Sequence, residues 1–215
     1  MRFSTQSESV GSGYELGYNI SMRNYIFCAL LICLLDSASA KTLNRGNGSE
    51  PDSLNPHKAQ GINSHHILFD LYEGLFRYGV DGEPELAMAE SFKVSDDGLQ
   101  WTFELHKAAR WSNGDAVVAV DFLQAWEMAN QPQTGAAYAN LYDNLKNDGE
   151  LQVSTQGLHQ LTIRLKRPNA SLPAQLLLPV FFPRHRLDGV FNGAYVLSDW
   201  QLQEKITLAK NPHYH

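Results

Sequence analysis

Helical spacing and strict alternation divide this chain into short elements behind a polar opening. Ile67, Leu68, Leu71, Tyr72 and Leu75 recur at three- and four-residue steps, which predicts a helix over 65–76 with Asn63 or Ser64 as its cap and Gly74 near its end. The Gly-rich 78–82 segment predicts a turn, and 92–95 alternates as a short strand. From Leu99 to His106 apolar and polar residues alternate, so Leu99, Trp101, Phe103 and Leu105 share one strand face. Asp96-Asp97-Gly98 lies between the two strands and predicts a hairpin. After a turn at 111–115, residues 119–128 carry Val120, Leu123 and Trp126 at helical spacing, with Asp121 placed to complement the exposed amides of the first turn.

The remaining pattern is less regular. A Pro-Gly break at 131–135 precedes a short helix over 136–145, and strands at 151–153 and 159–165 flank a turn at 155–157. Residues 172–178 predict a buried helix. Strands at 193–200 and 205–210 close the series. Mixed strands and helices indicate an α/β or α+β protein, with no internal repeat. The opening itself, from Asn44 to Ile62, is rich in Gly, Pro, Asn, Asp and Ser and has no continuous apolar face, so it is expected to be a shaped loop, either a connector or the wall of a binding site.

The N-terminal region changes the picture before composition does. Residues 25–35 form one apolar run, too short to span a bilayer, preceded by Arg23 and followed by Ala38-Ser39-Ala40. This predicts a cleavable export signal over 1–40 with its start at Met22, cleavage after Ala40 and Lys41 as the first mature residue. Both cysteines, Cys28 and Cys33, fall in that run, so the mature chain needs no disulfide. Neither follows a small residue as a lipid-anchored cysteine would. The mature chain is expected to be periplasmic with no transmembrane segment. The chain has 215 residues, 43% hydrophobic and 19% charged, and a net charge of −6. That composition is globular and mildly acidic, and without a Lys/Arg run it gives no reason to expect nucleic acid as a partner.

Candidate chemistry is sparse. His65-His66 and His213-x-His215 lack a third ligand and an arrangement suited to joint ligation, so no metal and no cofactor is expected. Gly46-x-Gly48 lacks the strand and remaining glycines of a dinucleotide fingerprint. Asp96-Asp97 and Asp115/Asp121 have structural roles available in a turn and at a helix start. No enzyme is expected. Trp101, Trp111, Trp126 and Trp200 read as core and turn packing rather than a ligand cage.

One resemblance organises these parts. Residues 45–57 (Arg-Gly-Asn-Gly-Ser-Glu-Pro-Asp-Ser-Leu-Asn-Pro-His), Leu71-Tyr-Glu-Gly-Leu75, Asp96-Asp-Gly, Trp101-Thr-Phe-Glu-Leu105 and Trp111-Ser-Asn-Gly114 occur in order. Ala119-Val-Asp-Phe122 with Trp126, then Asn192-Gly-Ala-Tyr195, Asp199-Trp200 and Asn211-Pro-His-Tyr214, continue the set. Across 44–214 the chain resembles an oligopeptide-type extracellular (periplasmic) solute-binding protein of an ABC transporter, family 5. The resemblance implies a periplasmic-binding-protein-like two-lobe α/β architecture (type II). It would be incomplete here, lacking the C-terminal lobe, with 41–72 as the first part of lobe I, 73–183 as a lobe II-like subdomain and 184–215 as a return to lobe I. It also implies short peptides as ligands, bound by main-chain hydrogen bonds in the interlobe cleft, and ABC permease subunits as partners.

By the same resemblance a peptide-contacting strand falls on Gln60, Gly61 and Ile62, and a ligand-facing tyrosine on Tyr138. Read without it, Gly61 is a turn glycine and Tyr138 a core tyrosine. The chain departs from the family pattern at Ala116 and Val118, where Pro and Thr are common, and at His215, where Trp is expected. It is also shorter than the family across 144–157 and 183–192. These departures keep a second expectation open: a truncated fragment or an interaction module without autonomous ligand binding.

Overall fold

A four-stranded antiparallel sheet, built in spatial order from residues 89–94, 100–105, 160–164 and 153–156, carries the middle of the chain, in a computed structural model that describes residues 42–215. The predicted start at Met22, the signal run with Cys28 and Cys33, the cleavage after Ala40 and Lys41 itself lie outside the described residues. Residues 46–215 form one unit. Its elements begin with helix α1 (Ile62–Leu71), the hairpin β1 (Phe76–Tyr78) and β2 (Pro84–Leu86), and strands β3 (Ala89–Val94) and β4 (Gln100–Leu105). Helix α2 (Ala119–Asn130), the small hairpin β5 (Lys146–Asn147) and β6 (Glu150–Leu151), and strands β7 (Val153–Gln156) and β8 (Gln160–Arg164) follow. A short helix α3 (Leu172–Gln175) and the hairpin β9 (Tyr195–Gln201) and β10 (Lys205–Lys210) complete the unit.

The sheet follows the alternation closely. Trp101, Phe103 and Leu105 of β4 are buried and face Leu161 and Ile163 of β8, with Trp101 opposite Ile163 and Phe103 opposite Leu161. The β3–β4 hairpin turns at Asp97-Gly98. Gly98 adopts φ +69°, the Gly98 N–H donates to the Ser95 carbonyl at 2.8 Å, and the Asp97 carboxylate accepts the Leu99 N–H at 3.0 Å.

Helix α2 covers this core with Ala119, Phe122, Ala125, Trp126 and Ala129 buried. The inward stripe is therefore offset from the expected one, and Val120 is 40% exposed. Small alanines share the inner face with Phe122 and Trp126, and the Trp126 ring packs edge-on against Phe122, Tyr142 and Phe181, which the spacing of the larger residues alone does not reveal. Asp121 sits where expected: its carboxylate accepts the Val118 N–H and the Trp111 indole N–H, both at 2.9 Å.

Trp111 and Trp126 are fully buried. The Trp126 indole donates to the Phe181 carbonyl at 2.8 Å, and the Tyr142 hydroxyl to the Val180 carbonyl at 2.7 Å, fixing the 179–182 segment against α2. Residues 179–181 of that segment form a 3-10 turn, and the helix expected over 172–178 is observed only as α3, ending at Gln175. Likewise 139–145 is 3-10 rather than α-helical.

The largest correction concerns α1. It starts at Ile62 and stops at Leu71, three residues earlier and five residues earlier than expected. Its end is set from a distance: Tyr72 is extended, the Gly193 N–H donates to the Leu71 carbonyl at 2.9 Å, and the Asn192 side-chain amide pairs with both backbone groups of Glu73. Competition from residues far along the chain ends the helix while its apolar spacing still runs on to Leu75.

Candidate functional site

The opening stretch is folded onto the N-terminus of α1 by side chains. The Asp52 carboxylate accepts the Gln60 N–H at 2.8 Å, the Gly61 N–H at 3.3 Å and the Ser64 hydroxyl, while Ser64 Oγ in turn accepts the Ser53 N–H. Ser64 is fully buried. The Asn47 side chain donates to the Asn63 carbonyl, and Asn63 donates to Ser49 Oγ. The Asn55 carbonyl accepts both the Lys58 and the Ala59 N–H groups, closing a tight bend that buries His57 and Ala59. Chiefly the Ser64 hydroxyl, with the two backbone amides adding to it, holds the Asp52 carboxyl below the usual carboxylate range against the opposing effect of burial.

Gln60 and Tyr138 meet at the rim of this stretch. The Tyr138 hydroxyl donates to the Gln60 carbonyl at 3.1 Å across 78 residues of sequence. The same two segments are joined one step inward, where the Ala137 N–H donates to the His57 carbonyl at 3.1 Å. The His65 ring stands edge-on to Tyr138 with centroids 6.3 Å apart. Three of the four residues named from the sequence thus lie along one edge, Gln60 and Tyr138 bonded and Gly61 beside them. Ile62, 62% exposed, continues it.

Two details correct the expectation. Gln60, Gly61 and Ile62 are not a strand: Gly61 is the extended residue before α1 and Ile62 is the first residue of the helix. Nor does the chain's own packing require glycine at position 61. Its φ is −79°, and an added Cβ would make only ordinary contact, 3.5 Å, with Asp52 Oδ1.

A separate cavity of about 280 Å³ opens beyond the C-terminal end of α1, lined by Phe69, Tyr72, Glu73, Arg77, Phe182 and Tyr214 among others and by none of the four rim residues. Glu73, almost fully buried, accepts the Tyr214 hydroxyl at 2.9 Å and lies 3.4 Å from Arg77. Burial, then the Glu73 charge, pushes the Tyr214 hydroxyl up to about 12. The sequence offered one signal for Glu73, an acid inside the apolar Leu71–Leu75 block. Asp52 carried no such mark, because an aspartate in a turn-rich loop is ordinary. Among the described residues no group of three His, Cys, Asp or Glu side chains is arranged to hold a metal ion, and no helix is long and apolar enough to cross a membrane.

Comparison with known proteins gives a consistent answer. Residues 83–215 match the bacterial extracellular solute-binding proteins, family 5 Middle. The periplasmic oligopeptide-binding protein OppA of Escherichia coli K12 is 34% identical over 202 residues, covering 82% of this chain and 37% of that protein. The probable deoxycholate-binding periplasmic protein YgiS of the same organism is 29% identical over 202 residues, covering 82% of this chain and 38% of its own length. Among solved structures, Haemophilus influenzae OppA in complex with the peptide RPPGFSPFR superposes with a TM-score of 0.74 at 31% identity, over 79% of this chain and 38% of that one. The chain therefore spans well under half the length of the relatives it matches. The shared fold is that of type II periplasmic binding proteins, of which the described residues form a partial α/β domain.

Proposed function

Because the chain belongs to the bacterial extracellular solute-binding proteins of family 5, we propose that it is the substrate-binding component of an ABC peptide importer, exported to the periplasm and acting by binding rather than by bond-breaking. The ligand is a short oligopeptide held by main-chain hydrogen bonds at the rim formed by Gln60, Gly61, Ile62 and Tyr138, and the partner is an ABC permease. The single observation that carries this reading is the bond between Tyr138 and Gln60. It brings two segments far apart in sequence to one exposed edge, with a hydroxyl and a main-chain carbonyl side by side. Support also comes from the relative whose solved structure holds a peptide.

Two other readings have an observation behind them. The name of the YgiS relative makes a bile acid an alternative ligand class. The departures from the family pattern at Ala116 and Val118 support a third reading, a fragment or interaction module without autonomous ligand binding. Isothermal titration of the chain with mixed short peptides, and separately with deoxycholate, distinguishes the three. Saturable heat with peptides supports the proposal, and heat with deoxycholate alone replaces it with the second reading. No heat and no thermal shift with either leaves the interaction module.

A further inference from the structure

The main-chain polar groups at the rim are not equally available. The N–H groups of Gln60 and Gly61 both point to the Asp52 carboxylate, and the Gly61 carbonyl accepts the Ser64 and His65 N–H groups of the first helical turn. What remains on this stretch is the Gln60 carbonyl, which has a second lone pair beside the one used by Tyr138, the Tyr138 oxygen itself, and the Ile62 N–H, which opens α1 without a hydrogen-bond partner among the described residues. The first two are acceptors and the third is a donor.

We propose that Asp52 is the positioning residue of the rim: by drawing the Gln60 and Gly61 N–H groups inward it leaves the Gln60 carbonyl and the Tyr138 oxygen to take a main-chain N–H or terminal ammonium of an extended ligand, beside the Ile62 N–H as a donor to a ligand carbonyl. The ligand half of this inference rests on the peptide-binding reading. The positioning half rests only on the geometry of the unliganded chain.

Three features make Asp52 suited to this role. One carboxylate accepts from two consecutive backbone amides and one buried hydroxyl, so its orientation is determined from both sides. Hydrogen bonds to an ionised acceptor are stronger than those between neutral groups. Ser64, the third partner, belongs to α1 itself and is locked by burial and by the Ser53 N–H, so Asp52 is referenced to the helix.

The test uses the full chain and two readouts. Amide hydrogen exchange is followed residue by residue in the parent and in Asp52→Asn and Asp52→Glu, and each protein is titrated with trialanine. Asp52→Asn keeps the size but offers one acceptor oxygen where two are needed. Exchange at Gln60 and Gly61 is expected to quicken roughly tenfold, the scale of one lost charge-assisted hydrogen bond, with Leu68 and Leu71 unchanged. Trialanine affinity should fall by about the same factor, and Asp52→Glu should recover part of both losses. Unchanged exchange at Gln60 and Gly61 would overturn the inference. So would equal acceleration along all of α1, which would make Asp52 a general support of the fold. If the parent gives no heat with trialanine, the peptide reading fails, and the exchange data still decide whether Asp52 positions these amides.

Discussion

The Tyr138 hydroxyl donates to the Gln60 carbonyl at 3.1 Å, so the residue just before the 3-10 turn at Ala139–Leu145 closes against a residue two positions before the first helix. Tyr138 also packs its ring on the core, which separates its two contributions. Tyr138→Phe keeps the packing and removes the hydroxyl. Because the bond is exposed, stability should fall by no more than about 1 kcal/mol. Affinity for short peptides should fall more clearly, by roughly three- to tenfold if the hydroxyl also meets the ligand. Paired thermal melts and titrations of parent and variant measure the two effects separately.

Among the described glycines, Gly193 has the tightest surroundings. An added Cβ would lie 2.5 Å from the Leu71 carbonyl carbon and 2.7 Å from both the Asp70 oxygen and the Tyr72 nitrogen, all backbone atoms that cannot swing aside. Gly193→Ala should therefore displace the 192–193 segment from the end of α1 and break the pairings of Asn192 with Glu73. A loss of about 3 kcal/mol or more is expected, read as a lower denaturant midpoint or as failure to accumulate folded protein.

The same position explains what was legible in the sequence. Alternation through Trp101, Phe103 and Leu105 gave β4 its inner face because a sheet's period depends only on local geometry. Asp97-Gly98 gave its hairpin for the same reason. The end of α1 was not legible, since Tyr72 leaves the helix to meet Asn192 and Gly193, a contact no local window contains. At the rim, Gln60, Gly61, Ile62 and Tyr138 came from resemblance alone. The sequence could not mark Asp52, whose importance lies in which amides it faces.

A second long-range tie binds the opening stretch to the β9–β10 hairpin. The Trp200 indole donates to Glu50 Oε1 at 2.6 Å, and the Gln203 N–H donates to Glu50 Oε2 at 2.9 Å. One carboxylate thus holds both a strand residue and the turn, where Gln203 sits at φ +60°. Glu50→Gln retains one acceptor and Glu50→Ala none. Limited proteolysis within 46–58 should quicken in the order parent, Gln, Ala. Since Glu50 is exposed, the global melting midpoint should move by only about a degree or two.

His57 makes stability depend on pH in a defined window. The side chain is fully buried, and neither ring nitrogen has a hydrogen-bond partner among the described residues. Burial first, and the Arg184 charge second, push its pKa from 6.5 down to about 3, so the folded chain keeps this ring neutral. The unfolded chain takes up a proton as pH falls below about 6.5, whereas the folded chain does not until near pH 3. Protonation therefore favours the unfolded state throughout that interval. Stability that is complete above the unfolded value drains away as pH falls, by on the order of 4 kcal/mol at the lower end. Carboxyls held low, such as Asp52 and Asp97, act in the same direction but only below their unfolded values near 3.8. The interval between pH 6.5 and about 4.5 thus lies above those carboxyls, while Asp121, whose carboxyl is raised by burial, acts in the opposite direction and is common to both proteins compared. His215, also lowered by burial, contributes there and is common to both proteins compared. His57→Gln, which cannot take up a proton, should be less stable at pH 7 but show a flatter stability profile between pH 6.5 and about 4.5 than the parent. Denaturant unfolding at half-unit steps of pH measures the two profiles, and parallel curves would show that His57 is not the group responsible.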